Sequence, residues 1–485
     1  MNIPAYINKI IADLQASGYE AYIVGGCVRD VLLGKEPKDW DITTNALPEQ
    51  MLKIFPQAKY ENTYGTVLFP IRALAQENEI KGKLEDVVEI TTYRSEQGYS
   101  DRRHPDSIRF ETELDKDLER RDFTINALAL DPSNHEKIID LFGGQKDIKL
   151  KIIRAVGEPS DRFKEDALRM LRAIRFSAQL GFELEPKTQR AIVKLAGSLK
   201  FVSKERIRDE LIKILASDRP YEGIMLLHDS KLLQYIIPEL EEGVGVNQDR
   251  HHIYPVFKHN LLALKCCPNK AWQVRFAALL HDVAKPKTRK IINNIATFYN
   301  HEHVGARLTA KIMSRLRFSS ADEERVVNLV KNHMFYYNVG EVTAASVRRL
   351  IVKVGKENLK DLIDLRIADR LGSGTPKAMP YKLRHLQYML EKVQNDPVSV
   401  KMLKLNGDDI IKLLNISPSP KIGAILDVLL SDVLEDPERN TLLWLKKRTR
   451  ELDKFALEEL RAKAKEVIAE KREEEDKEIK KQYKV

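Results

Sequence analysis

Read along its hydrophobic and polar positions, the chain changes character near residue 150. Before that point, apolar and β-branched residues come in short runs bounded by Gly, Asp and Pro: AYIVGG, WDITT, TVLFPI, VVEITTY, SIRFE, TINALAL and KIIDLFGG. Runs of this kind predict strands. Between the first two, CVRDVLL followed by Gly34 predicts a short helix with a glycine stop. After residue 150 the apolar positions recur at helical spacing, in DRFKEDALRMLRAIRFSAQLGF, PKTQRAIVKLAGSL, SKERIRDELIKILAS and YEGIMLLHDSKLLQYIIPEL. The implied architecture is an α/β head with a mixed sheet followed by all-α regions. Expected boundaries are 1–150, 151–240, a histidine-bearing region at 241–395, a short helical module at 396–450 and a dense Glu/Lys stretch at 451–485.

Composition narrows the picture modestly. A chain of 485 residues predicts more than one core, since single cores stop growing at roughly 250–300 residues. Lys+Arg exceed Asp+Glu by 81 − 72 = 9, a balance that suits a polyanionic partner. The three cysteines, Cys27, Cys266 and Cys267, form neither a disulfide framework nor a CxxC metal pattern, which predicts a reducing cytoplasm. The amphipathic start lacks a signal peptide's apolar stretch, and no run reaches the ~20 apolar residues a bilayer span needs. Membrane and secretory classes fall away.

The densest chemistry lies in VGGCVRDVLLGKEPKDWDITT, residues 24–44. Gly25 and Gly26 fall at a strand-to-helix turn, where missing Cβ atoms let backbone amides approach phosphate oxygens. Arg29, one turn on, can add charge to the same phosphates. Asp39 and Asp41 are two apart, so on a strand both carboxylates point to one face. Convergent aspartates beside a phosphate cradle suit two-metal phosphoryl transfer, with Mg²⁺ as the expected ion.

In this strand–GG–helix–turn–DxD order the sequence resembles the nucleotidyltransferase superfamily that includes DNA polymerase β, and within it the class II tRNA nucleotidyltransferases and bacterial poly(A) polymerases. Four further segments follow in the family's order. Leu118–Ala127 (LERRDFTINA) resembles the second motif, which implies that Arg121 contacts the incoming nucleotide. DLFGG at 140–144 resembles the third, which links the head to a neck. EDALRMLRAIRF at 165–176 and ERIRDE at 205–210 resemble the fourth and fifth. Asp166 and Arg169 are i and i+3 on the expected helix, hence neighbours on one face. A carboxylate beside a guanidinium can present hydrogen-bond edges complementary to cytosine or adenine. The resemblance implies that this pair acts as a protein template. Arg172 and Arg175 continue in steps of three, toward the triphosphate or the template. Glu89 is a candidate third carboxylate. It leads into GYSDRRHPDSIRF, which resembles the loop that CCA- and A-adding members need to switch from CTP to ATP. Residues 71–86 read as an insertion without an assignable role.

Farther on, His259, His281-Asp282, His301, His333 and Asp369 occur in the order H…HD…H…H…D. Imidazole and carboxylate donors spread over several helices can converge on a divalent ion. The pattern resembles the HD phosphohydrolase superfamily. Two readings stay open: a competent site holding a second divalent metal, or a structural HD fold without metal. In the tail, Gly407-Asp408-Asp409 and Pro418–Gly423, with Lys421, resemble the class II module that touches the tRNA elbow.

The resemblance therefore implies a head, neck, HD-type body and tail that add the 3′-terminal CCA to tRNA from CTP and ATP. A-only addition and poly(A) polymerase activity remain alternatives, as does an HD-type metal phosphohydrolase with a tRNA-recognising head.

Overall fold

The structure is a computed structural model, and it describes all residues except 1–2, 62–63, 72–86, 98–106, 135–136, 250–252, 336–337, 340–342, 376, 395–399, 401–402, 462–479, 482 and 485. Most of the insertion, most of the loop after Glu89, the boundary near 395 and most of the Glu/Lys stretch therefore lie outside the described residues.

The head is built on a seven-stranded mixed sheet. Its strands are β1 (Ala21–Val24), β2 (Asp41–Thr44), β3 (Lys59–Tyr60), β4 (Thr66–Pro70), β5 (Val87–Thr92), and, after a separate two-stranded ribbon β6–β7 (Arg94–Gln97 with Ser107–Phe110), β8 (Leu128–Asp131) and β9 (Lys137–Asp140). The order is β3-β4-β5-β2-β1-β8-β9, with β2 and β5 parallel and every other pair antiparallel. The two-residue period that predicts strands is visible in β5, where Val88 and Ile90 are buried while Val87 and Glu89 are exposed. All seven predicted runs contain a strand. TINALAL forms one only from Leu128, because Thr124–Asn126 is a single 3₁₀ turn. There Thr124 Oγ1 donates to Asp147 and Asn126 Nδ2 to Asp122 Oδ1, side-chain bonds that hold a turn in place of a ladder. The strands Lys59–Tyr60 and Arg94–Gln97 carry no apolar run and were not expected.

The predicted long helix beginning DRFKEDALR is two helices, Pro159–Glu165 and Leu168–Leu180. The break is Asp166, at φ −140° and ψ 106°, whose Oδ1 accepts from the Leu168 amide at 3.0 Å. A short acidic side chain has captured a backbone donor and ended one helix to start the next. Further helices include Lys204–Leu215, Val256–Cys266, Trp272–Leu280, His301–Arg315, Ser320–Asn332 and Leu359–Gly372. Gly372 permits the last of these to lie against Val256–Cys266, since a Cβ there would fall 2.7 Å from the Ala263 amide nitrogen.

Contacts divide the chain into two compact units: Met1–His333 with Asp361–Thr375, and Met334–Lys360 with Pro376–Val485. The second is helical, around a core that includes Leu405, Ile410, Ile425, Leu429 and Leu445. Within it Lys421 pairs with the Asp453 carboxylate at 2.9 Å. Among the described residues, no helix is long and apolar enough to cross a membrane.

Candidate active site and histidine centre

Strand register assembles the first site. Val24 stands opposite Asp41, and Asp41 is level with Glu89 on the adjoining strand. β1 then ends at Gly25, at φ +85°, from which the helix Gly26–Leu32 departs. A side chain at Gly25 would begin 3.0 Å from Arg121 Nη1 and 3.6 Å from Asp41 Oδ2. The glycine, the carboxylate and the guanidinium therefore share one small space. The Gly25 amide donates to Leu128 O, whereas the first N–H groups of the helix that starts at Gly26 have no intrahelical acceptor. Asp39 sits in the bend before β2 and is exposed, so the expectation that both aspartates ride one strand is corrected. It is nonetheless within electrostatic reach of Asp41. Burial pushes the Asp41 carboxyl up from its ordinary range, the Arg121 guanidinium opposes this, and Asp39 adds to it. Although Glu89 remains open to solvent, partial desolvation of its carboxyl raises it, as do the charges of Asp41, Glu61 and Asp39. Crowded carboxylates that raise one another are relieved by a divalent cation, so the donor set fits one.

Substituting alanine at Gly25 tests this geometry. A non-glycine residue at that φ and ψ, outside the left-handed helical well, costs about 1–3 kcal/mol, and the new methyl would also press on Arg121. We expect Gly25→Ala to lower kcat/KM for nucleotide incorporation at least tenfold while thermal unfolding moves by a few degrees. An unchanged kcat/KM would show that this space is not used.

Arg121 is aimed by residues whose spacing was legible but unremarked. Asp117, fully buried, accepts from Arg120 Nη2 at 2.6 Å and from Arg121 Nη2 at 3.0 Å, the i+3 and i+4 neighbours on a helical turn. Arg29 is buried and donates to Asp30 through Nε and Nη2 and to Asn126 Oδ1 at 2.7 Å through Nη1. From Asn126 the chain of bonds runs to Asp122 and on to Arg172 Nε at 2.7 Å. Asp122 is held down to about 2, because Arg172, Asn126 and Arg169 together outweigh the effect of burial. This polar thread fastens the Leu168–Leu180 helix to the head.

Asp166 and Arg169 differ from expectation. Asp166 lies between the helices, and its carboxylate is gripped by Arg206, through Nη1 at 3.2 Å and Nη2 at 2.6 Å. Arg169 pairs with Glu165 at 2.5 Å and donates to Arg120 O at 3.2 Å. The two are thus held by separate partners rather than by each other, although Arg169 touches the backbone next to Arg121. Arg175 pairs through Nε with Glu210 at 2.6 Å. Arg206, Glu165 and Glu210 lay within the fourth and fifth motifs without an assigned role, and Asp117 was missed. The signal for Arg206 was its place in ERIRDE, where basic and acidic residues alternate at helical spacing.

The six histidine-region residues all converge. His259 Nε2 lies 3.0 Å from His281 Nε2, 3.2 Å from Asp282 Oδ2 and 3.3 Å from Asp369 Oδ1. His301 Nε2 lies 3.2 Å from Asp282 Oδ1 and 3.3 Å from His333 Nε2. The rings of His281, His301 and His333 turn Nδ1 to the backbone carbonyls of Ala278, Phe298 and Val330 at 2.8, 2.7 and 2.7 Å. Donation there fixes the tautomer and leaves Nε2 as an inward lone pair. Burial, aided by His281, holds His333 down to about 3, so it is neutral and able to ligate. Burial opposes a charge on His281, yet Asp282 and Asp369 keep it up to about 10, so without an ion Nε2 carries a proton that a metal would displace. Asp282 Oδ2 accepts no well-directed hydrogen bond, although the Lys285 ammonium is 2.6 Å away. Lone pairs facing one another around an orphaned buried carboxylate oxygen fit a divalent metal.

A sheet of this topology, with a glycine turn beside clustered carboxylates, defines a polymerase-type nucleotidyltransferase head. Accordingly, the family model described as poly A polymerase head domain matches residues 21–154. A probable RNA- and SrmB-binding site of polymerase A matches residues 181–243, and an HD domain matches 261–373. The chain is 32% identical over 453 residues to a CCA-adding enzyme of Geobacillus stearothermophilus, covering 92% of this chain and 97% of that one. It is 38% identical over 333 residues to an A-adding tRNA nucleotidyltransferase of Deinococcus radiodurans, covering 65% and 74%. The crystal structure of a Bacillus stearothermophilus CCA-adding enzyme in complex with CTP superposes with a TM-score of 0.57 at 27% identity, over 93% and 100% of the two chains. The chain belongs to the tRNA nucleotidyltransferase family that contains the CCA-adding enzymes.

Proposed function

We propose that this protein adds the 3′-terminal CCA to tRNA from CTP and ATP without a nucleic-acid template. The observation that carries the reading is the continuity of one site. The Asp41 carboxylate, with Asp39 within electrostatic reach, meets Gly25 and Arg121, and Arg121 adjoins the backbone to which Arg169 bonds. In each cycle the tRNA 3′-oxygen attacks the α-phosphorus, the bond to the pyrophosphate oxygen breaks, and pyrophosphate leaves. Asp39 and Asp41 would hold Mg²⁺, which when bound favours the deprotonated 3′-OH and offsets charge on the leaving group. Arg121 adds a cation fixed in direction by Asp117, with Arg29, Arg172 and Arg175 bracing the wall around it. Gly25 and Gly26 leave room for the triphosphate, and Asp166 and Arg169 present edges to the base.

In this reading residues 1–150 are the catalytic head, 151–240 the base-recognising neck, 241–395 the HD-type body, 396–450 the tRNA-binding tail and 451–485 a charged end. His259, His281, Asp282, His301, His333 and Asp369 form a divalent-metal site with a secondary phosphohydrolase role. Three free cysteines agree with a cytoplasmic setting.

The Deinococcus relative supports a second reading, A-only addition. Incubation of the protein with tRNAs ending at the discriminator base, at C and at CC, with CTP and ATP supplied separately, distinguishes them by product length. CTP should extend the first by two residues and the second by one, and ATP the third by one. Extension by ATP alone would replace CCA addition by A addition, and no extension at all would defeat both.

A further inference from the structure

Three cations gather on one phenyl ring. The guanidinium carbons of Arg29, Arg172 and Arg175 lie 5.2, 5.5 and 4.1 Å from the centre of Phe176. The Phe123 ring packs against the same side chain in a T-shaped arrangement, centroids 5.8 Å apart, and Phe176 is only 5% exposed. A cation within about 6 Å of an aromatic face is drawn to the ring quadrupole, more strongly where water is excluded. Burial, with Arg172 close by, lowers Arg175 below its ordinary range against the pull of Glu210, a crowding that the electron-rich ring face offsets.

Each arginine also turns an edge to a carboxylate, and each pair belongs to a different part of the nucleotide site. Arg29 comes from the helix Gly26–Leu32, which leaves the glycine turn, and meets Asp30 there at 2.7 Å. Arg172 reaches from the helix of Phe176 to Asp122, the neighbour of Arg121, at 2.7 Å. Arg175 reaches Glu210 at 2.6 Å, about one helical turn beyond Arg206, which grips Asp166. Three ion pairs therefore radiate from a single ring. Their charges balance, so the cluster is a brace rather than an anion pocket.

Resting on the nucleotide-addition reading, we propose that Phe176 is a positioning residue for that reaction: its ring holds Arg29, Arg172 and Arg175 so that the triphosphate and base sides of the site keep one fixed spacing. The ring touches no reacting atom. A carboxylate fixes only the tip of an arginine, whose long stem leaves the path to that tip free. The ring face supplies the second point that sets its direction. An aliphatic side chain fills similar volume but offers no negative face, so the ion pairs would persist while their common bearing is lost.

The test places mono-, tri- and pentafluorinated phenylalanine at position 176 of the full chain, rings of nearly constant shape whose faces grow poorer in electrons, beside Phe176→Leu. The readouts are kcat/KM for CTP and ATP on tRNA, the ratio to UTP and GTP, and the thermal midpoint. We expect kcat/KM to fall stepwise with fluorination, by about tenfold at the fully fluorinated ring, with discrimination declining alongside and the midpoint nearly constant. Phe176→Leu should lose at least as much. Phe276→Leu, which removes a buried ring packed on Phe318, should lower the midpoint without that loss of kcat/KM. Equal kcat/KM across the fluorinated series, or losses that follow the midpoint in both leucine variants, would reduce Phe176 to packing and overturn the proposal. A parent that extends no tRNA would defeat the nucleotide-addition reading itself, and this role with it.

Discussion

Asparagine at Asp41 should reduce nucleotide incorporation about a thousandfold or more while leaving the fold intact. In the proposed mechanism a divalent cation beside Asp41 would contribute several kcal/mol of stabilisation where charge develops. Each ~1.36 kcal/mol is a factor of ten in rate, so three powers of ten is the scale of the loss. The stability response has the opposite sign, which makes the experiment decisive. Asp41 is raised by burial and by its neighbour Asp39, so at neutral pH its charge is less comfortable in the folded chain than in the unfolded one. That destabilisation is absent below the ordinary carboxylate pKa and grows once the pH exceeds it. Removing the charge should therefore leave the thermal midpoint at pH 7 unchanged or raise it. A variant that lost both activity and stability would indicate a structural aspartate. One that retained activity within tenfold of the parent would remove Asp41 from the chemistry.

How far such a site can be read from sequence depends on which contacts are local. The DxD and glycine pair lie within about twenty residues, and six of the seven apolar runs announced strands of the sheet that aligns them. Register was not legible: nothing in the runs says that Asp41 lies level with Glu89, because that pairing joins strands 48 positions apart in the chain. The His and Asp donors of the second centre were legible as types in order, since few other reasons exist to bury them. Their division over two oxygens of Asp282 was not, because it depends on how five helices pack. The clearest miss is Asp166. Helical periodicity runs unbroken through EDALRMLR, and a propensity argument has no means of weighing one captured amide against one lost turn. The break places Asp166 outside the helix, where a residue on another helix can reach it.

That residue is Arg206, and methionine in its place should weaken base selection more than it weakens the fold. Two guanidinium nitrogens hold the two Asp166 oxygens, at 3.2 and 2.6 Å. Without them the carboxylate retains the Leu168 amide on Oδ1 but is free to rotate its other edge away from an incoming base. A hydrogen bond to a charged group contributes about 1.5–3 kcal/mol, so kcat/KM for CTP and ATP should fall roughly ten- to a hundredfold. The telling quantity is the ratio to UTP and GTP. If Arg206 aims Asp166, the loss falls on the correct bases, whose edges require a fixed acceptor, and discrimination declines with it. Arg206→Lys, which offers one point charge in place of a two-pronged donor, should give an intermediate ratio. Equal losses for all four nucleotides, tracking a lowered thermal midpoint, would assign Arg206 to architecture alone. The sequence separation explains why such a residue would matter: the carboxylate proposed to select the base takes one local amide but is gripped on both oxygens from a helix forty positions away.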